Sequence, residues 1–224
     1  SSCDDADLGY YVPATGQSTQ TECVIGTYQA LAGQSSCDEA DAGYYVDQTG
    51  QSSQSACLEG TYQEDTGQSD CDDADAGYYV DQTGQSSQTV ADAGHYVSST
   101  GQSAQTAASA GHHVPTTGQT SETACLVGTY QADTGQDDCD NAEAGHYVDQ
   151  AGQSQQSECP AGAYQEYTGQ EWCDYADAGN YVDQSGQSEQ TECSAGTYNP
   201  NTGSTASTDC VDADAGNYVS STGQ

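Results

Sequence analysis

Residues 57–89 read CLEGTYQEDTGQSDCDDADAGYYVDQTGQSSQT. G-x-Y occurs twice in this stretch, and so does T-G-Q, each copy 17 residues from the other. The same beat runs through the whole chain. The G-x-Y glycines fall at Gly9, Gly26, Gly43 and onward to Gly196 in steps of 17, then at Gly216 after a three-residue insertion in NTGSTASTDC. The turn glycines keep time from Gly16 to Gly223. Thirteen units result, of two alternating types that set a 34-residue super-period. Type A reads AGYYVDQTGQSSQT, and type B reads CLEGTYQEDTGQSDC with a cysteine at each end. The alternation fails once, in a cysteine-free A-A-A segment at 77–123.

Each unit spells a small hairpin. GYYVD is rich in β-formers, D-Q-T-G is a turn with glycine at the left-handed place, and QSSQT supplies a second, polar strand. The apolar positions show no 3.6-residue period, and a glycine turn in every unit would interrupt a helix. One hairpin is marginal in water, so hairpins in tandem must bury their faces against neighbours. The expected fold is an all-β repeat protein without helix, an elongated rod of stacked 17-residue hairpins. Residues 1–224 read as one continuous array within a longer one, since Ser1 falls inside a repeat.

Composition narrows the function classes. The chain of 224 residues holds 35 Asp and Glu and no Lys or Arg, a formal charge of −35. At ordinary frequencies a chance absence of basic residues over this length has odds on the order of 10⁻¹¹. Nucleic acid is excluded as a partner because both surfaces would be anionic. No apolar run is long enough to span a membrane. Phe and Met are absent, Trp172 is the single Trp, and the hydrophobic fraction is 33%. Such a chain cannot bury a large aliphatic core.

Eleven regularly spaced cysteines supply the alternative, a disulfide framework of the kind formed in an oxidising, extracellular setting. No C-x-x-C pair occurs that would read as a zinc site. Two nearest-neighbour pairings compete. One closes B units: Cys23–Cys37, Cys57–Cys71, Cys125–Cys139, Cys159–Cys173 and Cys193–Cys210, leaving Cys3 over. The other closes A units, starting at Cys3–Cys23, and forces Cys71 to reach Cys125 across 54 residues. The A-A-A run favours the first, because a lost B unit removes both its cysteines and leaves no orphan.

The B unit resembles the cysteine-rich repeat of ephrin-receptor-like modules, related to the tumour-necrosis-factor-receptor type. Cys57, Gly60, Thr61, Tyr62, Gly67 and Cys71 match its C-x-x-G-T-Y, turn glycine and closing cysteine, as do the equivalents from Cys23, Cys125, Cys159 and Cys193. The resemblance covers the five B units, under half of the chain, and implies extracellular, disulfide-stapled modules used as stalks or binding surfaces. The linker CDDADAG departs from it, lacking the second cysteine of the family's C-x-x-C. The whole array is also similar, diffusely, to repeat regions of microbial surface proteins.

Candidate sites follow the same period. Tyr stands second after the repeat glycine in twelve of thirteen units, with His113 the exception, and reads as a stacked aromatic core. His95, His112 and His146 share the preceding position with Tyr and Asn, which reads as a solvated face. No Ser-His-Asp or Cys-His arrangement recurs, so an enzyme is not expected. Clustered carboxylates at Asp4, Asp5, Asp7 and at Asp72, Asp73, Asp75 make Ca²⁺ a candidate ion. The turn threonines Thr15, Thr49, Thr66, Thr83, Thr100, Thr117, Thr134, Thr168, Thr202 and Thr222 are candidates for O-linked glycans; no N-x-S/T sequon exists. The expected function is an extracellular or cell-surface structural glycoprotein that self-associates into a filament, fibre or stalk. The alternative is an adhesive or receptor-like ectodomain binding glycan or protein.

Overall fold

The structure, a computed structural model, describes residues 3–224. It is all-β: twelve two-stranded antiparallel hairpins follow one another along the chain. The repeats are numbered from Ala6, so repeat 1 is 6–22, repeat 2 is 23–39 and repeat 3 is 40–56. In repeat 3, Tyr44–Tyr45 pairs with Ser55–Ala56, Tyr44 opposite Ala56 and Tyr45 opposite Ser55. The strands are only two residues long, so most of QSSQT is loop and not strand. Among the described residues the one helical turn is a 3-10 turn, Ser207–Asp209, beside the insertion of repeat 12. There the Asp209 carboxylate accepts the N–H groups of Thr205 and Ala206 at 3.0 Å each.

The chain divides into two compact units, Ser1–Thr106 with Thr116–Ser121, and Ala107–Pro115 with Glu122–Gln224. Within each, one set of backbone hydrogen bonds ties a repeat to the next. In the first unit the Gly43 N–H donates to the Gln63 carbonyl at 2.8 Å, and the Cys57 N–H returns to the Gly43 carbonyl at 2.9 Å. The turn glycine joins in, with the Gly67 N–H donating to the Ala40 carbonyl at 2.8 Å. In the second unit the Gly145 N–H donates to Gln165 at 2.7 Å, and the Cys159 N–H to Gly145 at 2.8 Å. These bonds satisfy backbone groups that strands of two residues would leave open.

Repeats two apart also meet. A Cβ built on Gly43 would lie 2.2 Å from the Gly84 carbonyl oxygen, and one on Gly145 2.2 Å from that of Gly186. Gly43 also sits at φ 85°, the left-handed conformation its turn requires. Repeat 3 is thus seated on repeat 5, and repeat 9 on repeat 11. Where A and B alternate, A meets A and B meets B, which gives the 34-residue super-period a physical meaning; at the A-A-A run Gly60 of a B repeat meets Gly101 of an A repeat instead.

Such close backbones leave a narrow interior. The first residue of each repeat from 1 to 12 is buried: Ala40, Ala74 and Ala142 in A, and Cys23, Cys57 and Cys125 in B, among others. The seventh is the other core position, Val46, Val80 or Val182 in A and Gln29, Gln63 or Gln165 in B. The expected tyrosine core is corrected here. Tyr45, Tyr62 and Tyr147 are half-buried, and Tyr218 is exposed. An interior at this spacing admits methyl, thiol and isopropyl groups but not stacked rings.

Candidate functional site

Two devices close the hairpins, one for each repeat type. In B repeats the first and fifteenth residues are bonded, Cys23–Cys37, Cys57–Cys71, Cys125–Cys139 and Cys159–Cys173, and in repeat 12 the three-residue insertion moves the partner on to Cys193–Cys210, with Cα separations of 5.7–5.8 Å throughout. This is the pairing within B units. Cys3 is free and exposed. In A repeats the fifteenth residue is Gln instead, and it clasps the second. Gln54 donates from Nε2 to the Asp41 carboxylate and accepts the Asp41 N–H at Oε1, both at 2.6 Å. Gln20 with Asp7, Gln88 with Asp75, Gln105 with Asp92, Gln156 with Glu143 and Gln190 with Asp177 repeat the pattern. In repeat 7, Glu122 accepts the Ser109 N–H at 2.6 Å.

The clasp gives part of the acidic linker a structural role that the sequence reading did not find. Asp7 and Asp75, two of the candidate calcium ligands, are held by Gln20 and Gln88. Asp73 lies against Gly101 two repeats on, Asp5 against Gly33, and Asp72 accepts from Gln63 at 3.4 Å. Asp4 is exposed. Among the described residues no three carboxylates converge within ligand distance. The acids are spread over separate structural tasks.

The buried glutamines of B repeats are caps. Gln63 donates to the Asp70 carbonyl at 3.0 Å and accepts the Asp65 N–H at 3.1 Å. Gln29, Gln131 and Gln165 bridge their own loops in the same way. Among the described residues no buried side-chain N or O atom lacks a partner. Burial of these amides is therefore compensated.

Burial first, and nearby carboxylates second, push the B-repeat phenols Tyr28, Tyr62, Tyr130 and Tyr164 above the ordinary tyrosine range. Among the carboxylates the strongest influence on each is the clasp acid of the following repeat: Asp41, Asp75, Glu143 and Asp177. Tyr10 is also raised, chiefly because its hydroxyl donates to Glu22 at 3.0 Å.

The histidines divide. His95, His112 and His146 are half-buried, each with Nδ1 3.3–3.5 Å from the carbonyl two residues back. His113 occupies the tyrosine position, and its Nδ1 lies 3.2 Å from Cys139 Sγ. His113, Cys125 and Cys139 bring ligand atoms within 4.8 Å of one another. Both sulfurs are committed to the Cys125–Cys139 bond, so the trio as it stands is an imidazole packed on a disulfide and not a metal centre.

All ten candidate threonines are exposed. Thr49 donates to Glu22 at 3.1 Å and Thr66 to Glu39 at 2.9 Å, each reaching back two repeats; Thr222 does the same to Glu192. Two concavities are open and shallow. The larger, about 860 Å³, borders Cys3, Asp4, Asp5 and Val12. The smaller, about 300 Å³, lies between repeats 9 and 10 and is lined by Tyr147, Pro160, Ala163, Trp172 and Tyr175 with the carboxylates Asp149 and Glu171. Its residues escaped the sequence reading because the period drew attention to what recurs. The signal was nevertheless present, since Trp172 has no counterpart in any other repeat.

No helix is long and apolar enough to cross a membrane among the described residues. No family model matches the chain, and no curated protein matches it.

Proposed function

We propose that this chain is an extracellular structural protein, a tandem array of stapled hairpins that builds a filament, fibre or stalk. One observation supports this reading above others: the same inter-repeat backbone bonds recur at successive repeats, as in Gly26 N–H to Val46, Gly60 N–H to Val80 and Gly128 N–H to Val148, each 2.8 Å. The joint recurs from repeat to repeat while the solvent-facing side chains vary. Five disulfides suit an oxidising exterior. The ten exposed threonines would carry O-linked glycans, which also cover the open edges of the two-residue strands.

Sedimentation velocity over a concentration series, with electron microscopy of the same oxidised samples in saline, tests the reading. Association into extended assemblies is the expected result. A monomer at every concentration, with no assemblies on the grid, overturns the filament. An adhesive ectodomain is the second reading, favoured by the exposed aromatic side chains of repeat 10.

A further inference from the structure

The five B repeats form an internal comparison set, and repeat 10 departs from the others on one patch of surface. Trp172 stands where repeats 2, 4 and 8 have Ser36, Asp70 and Asp138. Tyr175 replaces Glu39, Asp73 and Asn141, and Tyr167 replaces Leu31, Asp65 and Asp133. Ala163 replaces the threonine whose hydroxyl elsewhere donates to its own turn, as Thr61 does to Leu58 at 2.8 Å. Tyr167, Trp172 and Tyr175 are 62%, 57% and 74% exposed, a large outlay of aromatic surface in a chain with no Phe. Trp172 and Tyr175 meet Tyr147, Pro160 and Ala163 around the 300 Å³ cavity, and Asp149 and Glu171 complete its wall.

The loop that presents these rings is held at both ends. Buried Gln165 donates to the Trp172 carbonyl at 2.9 Å and accepts the Tyr167 N–H at 3.0 Å. Cys173, next to Trp172, is bonded to Cys159. Tyr175 lies against the turn glycine Gly203. The backbone that carries Tyr167 and Trp172 is therefore fixed before any ligand arrives, which lowers the entropic cost of binding.

We propose that this cluster binds a permanent organic cation, a quaternary ammonium group of the size of choline. The rings offer negative faces, and Asp149 and Glu171 add full negative charge beside them. Every charged side chain at neutral pH is an acid, so the surrounding field has one sign. A neutral sugar would gain from stacking but nothing from that field. A small metal ion could pair with Asp149 and Glu171 but would gain nothing from Pro160, Ala163 and the rings, and the 6–8 oxygens a Ca²⁺ ion takes are not offered by this lining. An alkylammonium has an apolar skin and a diffuse charge, and both match the site. The proposal is independent of the structural reading, since the cluster would serve a filament or an adhesive ectodomain equally.

Trp172, as the single Trp, reports on the site directly. The full oxidised chain is titrated with choline chloride at constant ionic strength, following tryptophan fluorescence. Parallel titrations use 3,3-dimethylbutanol, the neutral isostere, and methyl glucoside. The expected result is saturation by choline at a concentration at least about ten-fold lower than for either neutral compound. Equal response to the isostere, saturation by the sugar alone, or no saturation by choline overturns the proposal. Tyr175→Asn, which installs the neutral residue of repeat 8, should weaken choline binding about ten-fold or more. Because Tyr175 also touches Gly203, the Asp149→Asn/Glu171→Gln double variant provides a second arm. It should weaken choline and leave dimethylbutanol unchanged; an unchanged choline affinity in the double variant refutes the charged half of the site.

Discussion

At the scale of single residues, two predictions separate conformational from steric cost. Gly43→Ala places a methyl 2.2 Å from a backbone oxygen and forces a left-handed alanine, whereas Gly196→Ala meets nothing within 4 Å. The second variant should lose only the conformational cost, about 1–2 kcal/mol. The first should lose clearly more, and denaturant melts of the two variants side by side would show it. Equal losses would mean that the repeats are not seated on one another at Gly43. The phenols give a pH prediction. Tyr28, Tyr62, Tyr130 and Tyr164 have folded pKa values above the ordinary tyrosine value of 10.0. Below pH 10 the phenol is neutral in both states and stability is full. As pH rises from 10 through the raised folded values, the unfolded chain ionises first and stability falls. Spectrophotometric titration should resolve a late-ionising class of tyrosines, lost on unfolding. A single transition at the free-tyrosine value would contradict the packing of these rings.

At the scale of the element, the unit is a hairpin closed either by a disulfide or by an amide–carboxylate clasp at the same fifteenth position. A closed loop of about 15 residues contributes roughly 3 kcal/mol in the chain-entropy picture, so Cys57→Ala/Cys71→Ala should lose about that much. The interchange also predicts a gain. Repeat 6 is of type A, and its first and fifteenth residues are Ala91 and Gln105. Ala91→Cys/Gln105→Cys should form a sixth disulfide, leaving Cys3 as the single titratable thiol; three free thiols would show that A and B hairpins differ in closure geometry. The hairpins, their turns and the B-unit bonds were legible in the sequence because glycine and cysteine state their geometry through spacing. The clasp was not, because Asp and Gln are ordinary surface residues whose partnership across 13 positions appears only once the hairpin is folded. The tyrosine core failed for a related reason. Ring area argues for burial, but the inter-repeat distance, set by the glycines, decides what fits inside.

At the scale of the whole molecule, period and charge govern. Repeat 6 occupies an even-numbered place that a B repeat would hold, so the A-A-A run at 77–123 preserves the phase of the super-period and omits only its staple. The period itself was legible; that it records contact between repeats two apart was not, since the sequence alone does not reveal which repeats touch. Charge is the remaining problem. Carboxylates repeat along the array with no Lys or Arg to offset them, for a formal charge of −35. Folding draws a chain of this charge into a smaller volume, which raises its self-repulsion. Mobile ions must supply the compensation. The Debye length falls from about 30 Å at 0.01 M salt to about 3 Å at 1 M, shorter than the span of one repeat. Thermal stability should therefore rise steeply with NaCl, each kcal/mol of relieved repulsion adding about 2–4 °C to the melting temperature of a chain this size. Screening has a further signature, which is indifference to the identity of the cation. Melting curves at matched ionic strength should coincide in NaCl, KCl and dilute CaCl2. A flat profile from 0.01 to 1 M would show that repulsion is not a significant term. A stabilisation by submillimolar calcium beyond its ionic strength would instead place a specific ion among the linker carboxylates, bridging groups that the single chain keeps apart.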